Sequence, residues 1–332
     1  TLFVVPVHIA IDGVEHKVLL DTDDARIPLP SPDSTVVVNA GGQISNSAQF
    51  SYLPPAITGI NYASAPTAGG TTVTLTGSDF GITAIVNIGA DEAQITGVPS
   101  HTQITCILPP GQGKNQAVTV EAAGQVSNAL TLDYDAPELT SISPATASTQ
   151  GGSLITLTGK NFGFSGSVSV GTTNAPVTSG GYSHTRIICT LPEGQGANLP
   201  VVVTSAQRSS NSVSFSFTPP AITGITPASG PTAGGSLITL TGSNFGTSPL
   251  VLFNGATISP VSSSHDQLIF GLPSGQGANL PVSVSSGGQV SPATSFSYGA
   301  PVLTGISAAS LPTAGGTPLT LTGSNFGSSP LV

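Results

Sequence analysis

Apolar and polar residues alternate along this chain in short runs, each cut off within a few residues by Gly, Pro, Asn or Ser. The run Ser236-Leu-Ile-Thr-Leu-Thr241 shows the pattern clearly. Its period of two marks a strand with one buried face. A second run of this kind, Ala221-Ile-Thr-Gly-Ile225, precedes it, and others follow at Pro249 to Phe253, Gln267 to Leu272, Leu280 to Ser285 and Ala293 to Tyr298. Between the second and third runs, Gly242 to Gly246 forms a tight turn in which Gly and Asn take positive φ and Phe245 folds inward. About seven short strands in roughly 80 residues predict an antiparallel sandwich of immunoglobulin type.

The pattern repeats. Gly-Gly pairs stand before the alternating run at 69/70, 151/152, 234/235 and 315/316. Asp79-Phe80-Gly81, Asn161-Phe162-Gly163, Asn244-Phe245-Gly246 and Asn325-Phe326-Gly327 keep the same register, as do Gly-Gln-Gly triplets at 111 to 113, 194 to 196 and 275 to 277. Three independent landmarks sharing one period define a tandem array. Complete repeats run over 55–136, 137–219 and 220–300. Residues 301–332 are the opening half of another, and 1–54 a closing half preceded by a divergent segment. The joints Tyr52-Leu-Pro-Pro55, Asp135-Ala-Pro137, Thr218-Pro-Pro220 and Gly299-Ala-Pro301 contain no flexible linker. Pro fixes φ and restrains its predecessor, so a stiff, rod-like array is expected.

Composition narrows the chemistry. Only 6% of the 332 residues are charged, the net charge is -9, and six Lys and Arg leave nothing to neutralise a run of phosphates or an anionic membrane. Nucleic-acid binding is therefore not expected, nor is a long amphipathic helix, which draws on Glu, Lys and Arg. The 38% of apolar residues argues for packed cores rather than disorder. No run approaches the ~18 to 20 apolar residues of a membrane span, and Thr1 does not open a signal peptide. No membrane insertion is expected within this segment.

The run Ile222-Thr-Gly-Ile-Thr-Pro-Ala-Ser-Gly-Pro-Thr-Ala-Gly-Gly, followed by Thr239-Leu-Thr-Gly-Ser-Asn-Phe-Gly, resembles the opening of an IPT/TIG domain, and Ile104-Thr-Cys-Ile-Leu-Pro-Pro110 resembles that family's strand before its Pro-rich turn. The resemblance covers residues 34 to 332. It implies tandem immunoglobulin-like sandwiches of the kind found in plexins, some transcription factors and many surface proteins. Fold alone does not fix function.

The candidates for chemistry are few. Cys106 and Cys189 occupy one position in successive repeats, too far apart for a bond that needs Cα atoms within about 7 Å, and read as buried thiols. The family often pairs this cysteine with an earlier one, which this chain lacks. His101, His184 and His265 recur before the same strand and read as turn residues, while His8 and His16 have no metal-ligand spacing. Asp21, Asp23 and Asp24 form one acidic cluster and Asp133, Asp135 and Glu138 another, either of which could supply oxygens to calcium; solvated acidic loops are the simpler reading. Asp21-Thr22-Asp23 lacks the Gly of an aspartic-protease loop. The Gly-Gln-Gly triplets lack the Lys and helix of a phosphate loop and read as a recurring turn. No enzyme and no cofactor are expected.

The termini are cut out of phase with the repeat. The closing half at 1–54 and the opening half at 301–332 add to about one repeat, and half a sandwich exposes its apolar face and its strand edges. One expectation is thus a fibre subunit, a head-to-tail homopolymer joined by complementary halves through Leu2, Phe3, Val4, Val5 and Val7 at one end and Leu319, Leu321, Phe326, Leu331 and Val332 at the other. The alternative is a stalk segment of a larger surface adhesin or receptor. Both place the chain outside the cell, with glycans or other surface proteins as further partners. Scarce charge and abundant Ser and Thr make O-glycosylation plausible, particularly at Thr218 and Ser291.

Overall fold

The computed structural model describes residues 52–329 in full. It also describes Gln43, Asn46 and the backbone of the strands Pro6–Ile11, Val14–Leu19, Ser34–Val36, Asn39–Ala40, Gln43–Ile44 and Ala48–Phe50. It is all-β, with no helix among the described residues.

Residues 1–135 and 136–332 form two compact units. In the second, repeats two and three share one plan. Repeat three has one sheet in the order Ala221–Thr226, Leu237–Ser243, Gln267–Gly271, Ser262–Ser263, and a second in the order Ser229–Gly230, Thr294–Tyr298, Leu280–Ser286, Leu250–Phe253, Ala256–Ile258. The strands read from alternation fall within a residue or two of these; the two-residue strands were not legible, because so short a run carries no period. Alternation does what it predicted: Ile238 and Leu240 are fully buried, and Leu237 stands out in solvent. Facing them are Val282 and Val284 from the other sheet, with Phe245, Phe270 and Phe296 filling the space between. Repeat two builds the same core from Ile155, Leu157, Phe162, Cys189, Val201, Val203 and Phe215.

Repeat one, in the first unit, differs on one side. Its strand Asp91–Ile95 pairs with both Ala84–Ile88 and Gln103–Ile107, so that the two sheets join into one of nine strands. The corresponding stretches of repeats two and three contain Pro176 and Pro260. Pro has no amide proton for a ladder, so the strand is interrupted there and is divided between the two sheets, although Thr190 N still donates to the Pro176 carbonyl at 2.9 Å.

Ahead of repeat one, Ser34 pairs with Phe50 across an antiparallel hairpin, and Asn39–Ala40 pairs with Gln43–Ile44. This register matches that of Leu280 opposite Phe296 in repeat three. Pro6–Ile11 and Val14–Leu19 form a separate antiparallel pair.

Candidate functional site

The residues that could carry reaction chemistry are occupied by the fold. Cys106 and Cys189 are free and completely buried in separate cores, where burial pushes their thiols up to about 11 and about 12. The histidines mark a backbone feature: the carbonyls of His101, His184 and His265 accept the amides of Phe80, Phe162 and Phe245 at 3.1, 3.0 and 2.9 Å. Each carbonyl holds the inward Phe of its turn, a backbone role that recurs with the fold. Asp133 accepts the Asn115 amide at 2.8 Å, a role taken by Ser216 and Ser297 in the later repeats. Glu138 pairs with Lys160 at 3.0 Å in solvent. No three acidic, His or Cys side chains come together to hold a metal among the described residues; Asp21, Asp23 and Asp24 lie outside them.

Of the residues expected at a polymer joint, Leu2, Phe3, Val4, Val5, Leu331 and Val332 lie outside the described residues, and Val7 is described only as backbone in Pro6–Ile11. Leu319, Leu321 and Phe326 line a cavity of about 1140 Å³ with Tyr298, Pro301 and Leu303. They stand at the sequence positions that Ile238, Leu240 and Phe245 bury in repeat three, but here Leu319 is 43% exposed and Leu321 and Phe326 are half-buried. Ser291 does not suit glycosylation as expected: it is 5% exposed, its hydroxyl accepts the Val284 amide at 2.9 Å, and it donates to the Pro292 carbonyl at 3.0 Å. Thr218 is exposed, and its hydroxyl donates to the Ala147 carbonyl at 3.2 Å.

The most elaborate polar site is the joint between repeats two and three, and its central residue was not legible as such. Gln195, from the Gly-Gln-Gly triplet of repeat two, points its side-chain carbonyl into the turn after Asn244-Phe245-Gly246 of repeat three. There Oε1 accepts the amides of Thr247 and Ser248 at 3.0 and 2.8 Å and the Ser286 hydroxyl at 3.2 Å. Gly246, at φ 79°, leaves the room: a Cβ on it would lie 2.6 Å from Gln195 Oε1. The triplet is therefore more than a recurring turn. One joint on, Gln276 repeats the contact at the same offset, with Oε1 accepting the Ser329 amide at 3.2 Å and Nε2 donating to the Ser329 carbonyl at 3.4 Å.

Repeat three reaches back as well. Gln289 Nε2 donates to the Phe217 carbonyl, the last strand residue of repeat two, at 3.1 Å. Within the first unit, Gln125 makes the same bond to Tyr52 at 3.0 Å. Next to the Gln195 contacts, Asn244 Oδ1 accepts the Ser148 hydroxyl at 3.0 Å and the Thr149 amide at 3.3 Å. Thr149, a polar residue with 1% exposure, meets His265 Nδ1 at 2.8 Å, and His265 Nε2 lies 3.4 Å from Glu193. These hydrogen bonds, with only Thr218-Pro219-Pro220 between the strands, hold the two sandwiches against each other.

With fold and joint described, the family can be tested. The IPT/TIG domain model matches residues 55–134, 137–217 and 220–298. The chain belongs to the IPT/TIG domain family. Among relatives with IPT/TIG architecture, Fibrocystin-L of Mus musculus is 30% identical over 310 residues, 88% of this chain and 7% of its own length. Fibrocystin-L of Homo sapiens is 29% identical over 320 residues, 90% of this chain and 7% of its own length. The chain thus spans about 7% of the length of these relatives. Of solved structures, the full extracellular region of Plexin A4 aligns with 73% of this chain and 34% of its own at 17% identity and a TM-score of 0.26. The surface glycan-binding protein PbSGBP-B from Prevotella bryantii aligns with 48% of this chain and 41% of its own at 18% identity and a TM-score of 0.35.

Proposed function

We propose that these IPT/TIG domains serve as an extracellular spacer, a stalk segment of a longer cell-surface protein that holds other parts at a set distance and has no catalytic role. The observation that carries this reading is the joint. Gln195, Gln289, Asn244 and His265 hold one sandwich against the next. Gln276 and Gln125 make the same bonds as Gln195 and Gln289, which suits an array whose task is geometric. The size of the Fibrocystin-L relatives supports a place within a larger protein.

The fibre of complementary halves gains no such support. The joint observed between repeats two and three links two complete sandwiches, each with its own core and with no exchange of strands. Other surface proteins and glycans remain the partner classes proposed for the assembly that the stalk carries.

The test is labelling of intact cells that make the protein with an antibody against repeats two and three. Staining without permeabilisation is expected. Staining only after permeabilisation would overturn the extracellular reading.

A further inference from the structure

In every complete repeat, a two-residue strand near the start runs parallel to the last strand. Ser64 and Ala65 lie beside Asp133 and Tyr134, Thr146 and Ala147 beside Ser216 and Phe217, and Ser229 and Gly230 beside Ser297 and Tyr298. The flanking bonds recur too. Ser216 N donates to Ala145 O at 3.1 Å and Thr218 N to Ala147 O at 2.8 Å, with counterparts at Asp133 and Asp135 and at Ser297 and Gly299. Tension applied to the two ends of a repeat drags the first of these strands toward its N-terminal end and the last toward its C-terminal end. Parallel neighbours pulled in this way slide past each other, so their bonds are loaded together in shear rather than opened one at a time.

A second device lies closer to the leading end, and only two of the three complete repeats have it. In repeat two, Asn211 Oδ1 accepts the Leu139 amide at 2.9 Å and Asn211 Nδ2 donates to the Leu139 carbonyl at 2.8 Å. In repeat one, Asn128 holds Ile57 in the same way at 2.8 and 3.0 Å. The side-chain amide acts as an extra rung between the first strand and the segment before the last. Repeat three has Pro292 at this position, and Pro offers no side-chain amide. The preceding serine is unchanged in role: Ser127, Ser210 and Ser291 each accept a strand amide and donate to the next carbonyl. Packing follows the rung, since Ile57 and Leu139 are 3% and 2% exposed while their counterpart Ile222 is only half-buried.

We infer that the chain is a tension-bearing element with a built-in order of yielding, in which repeat three releases its first strand, Ala221–Thr226, at lower force than repeats one and two release theirs. The need to bear tension rests on the stalk reading; the ranking rests on Asn128, Asn211 and Pro292. Losing the rung removes two of the hydrogen bonds that hold the first strand in place, which speeds its release at a given force by roughly tenfold.

The experiment is constant-velocity pulling of the whole chain between handles. Each complete repeat should give one event, lengthening the chain by roughly 250 Å at ~3.3 to 3.6 Å per residue, with one event at clearly lower force. Pro292→Asn is expected to raise that event into the range of the others, and Asn211→Ala to bring a second event down to it. Asn128→Ala is the companion variant should Asn211→Ala not fold. Three equal forces in the parent chain, or Asn variants that leave all forces unchanged, would overturn the inference. These forces do not depend on where the protein resides, so failure here and failure of the stalk reading remain distinct.

Discussion

Gln195 Oε1 lies 2.8 Å from the Ser248 amide, so that a side chain of one sandwich caps a turn of the next. Gln195→Ala removes every bond made by that oxygen but leaves both cores untouched. Each repeat should keep its stability to within about 1 kcal/mol, the net worth of a neutral hydrogen bond. The angle between repeats two and three should spread. Residual dipolar couplings measured across 137–300 would read this: one alignment tensor for the parent and two distinct ones for the variant.

Phe245 is completely buried where its turn folds into the core. Phe245→Ala should cost about 3 to 5 kcal/mol. In a denaturant titration that loss should fall on repeat three, seen as one transition moving to lower denaturant while that of repeat two stays in place.

Cys106 and Cys189 are buried, with their thiols pushed up to about 11 and about 12 from an ordinary value of 9.0. A thiol reagent at pH 8 should leave both untouched in the folded chain and modify both in denaturant, because the thiolate is the nucleophile. The sign of the pH effect follows. Above pH 9 the unfolded thiols ionise while the folded ones hold their protons, so stability should fall as pH rises from 9 towards 11 to 12. Cys106→Ala with Cys189→Ala should flatten that slope.

His184 behaves in the opposite sense. Its ring meets Phe164 edge-on at 6.5 Å, and burial holds it below the ordinary histidine value of 6.5. The folded chain therefore resists a proton that the unfolded chain takes up. Its contribution is complete above pH 6.5 and is lost as pH falls below it. Melting midpoints should drop on acidification, with a shallower slope in His184→Asn.

Asp133 caps Asn115 as Ser216 and Ser297 cap Asn198 and Asn279. Asp133→Ser should be close to neutral and Asp133→Ala should cost about 1 kcal/mol.

The fold was legible because its determinants are local. Alternation at Ile238 and Leu240, positive φ at Asn244 and Gly246, and a period kept by several landmarks each act over a few residues. The joint is written in residues whose partners lie far along the chain: Gln195 finds Ser248 53 positions later, and His265 finds Thr149 116 positions earlier. No spacing rule reaches that far. One signal was present in Gln195 itself, since a tight turn demands the glycines of Gly-Gln-Gly but places no demand on the residue between them. A polar side chain kept in all three triplets without local need has its partner elsewhere.

The prolines between the sheets of repeats two and three carry a further consequence. Tandem modules of similar sequence emerge from the ribosome one after another, and a free edge strand of one is a template for the same strand of the next. Asp91–Ile95 in repeat one closes its seam by pairing on both sides. In the later two, Pro176 and Pro260 interrupt the row of amide donors that an incoming strand would need. The same residues that divide the sheets thus also leave gaps in the edge to which a neighbour's strand would have to pair.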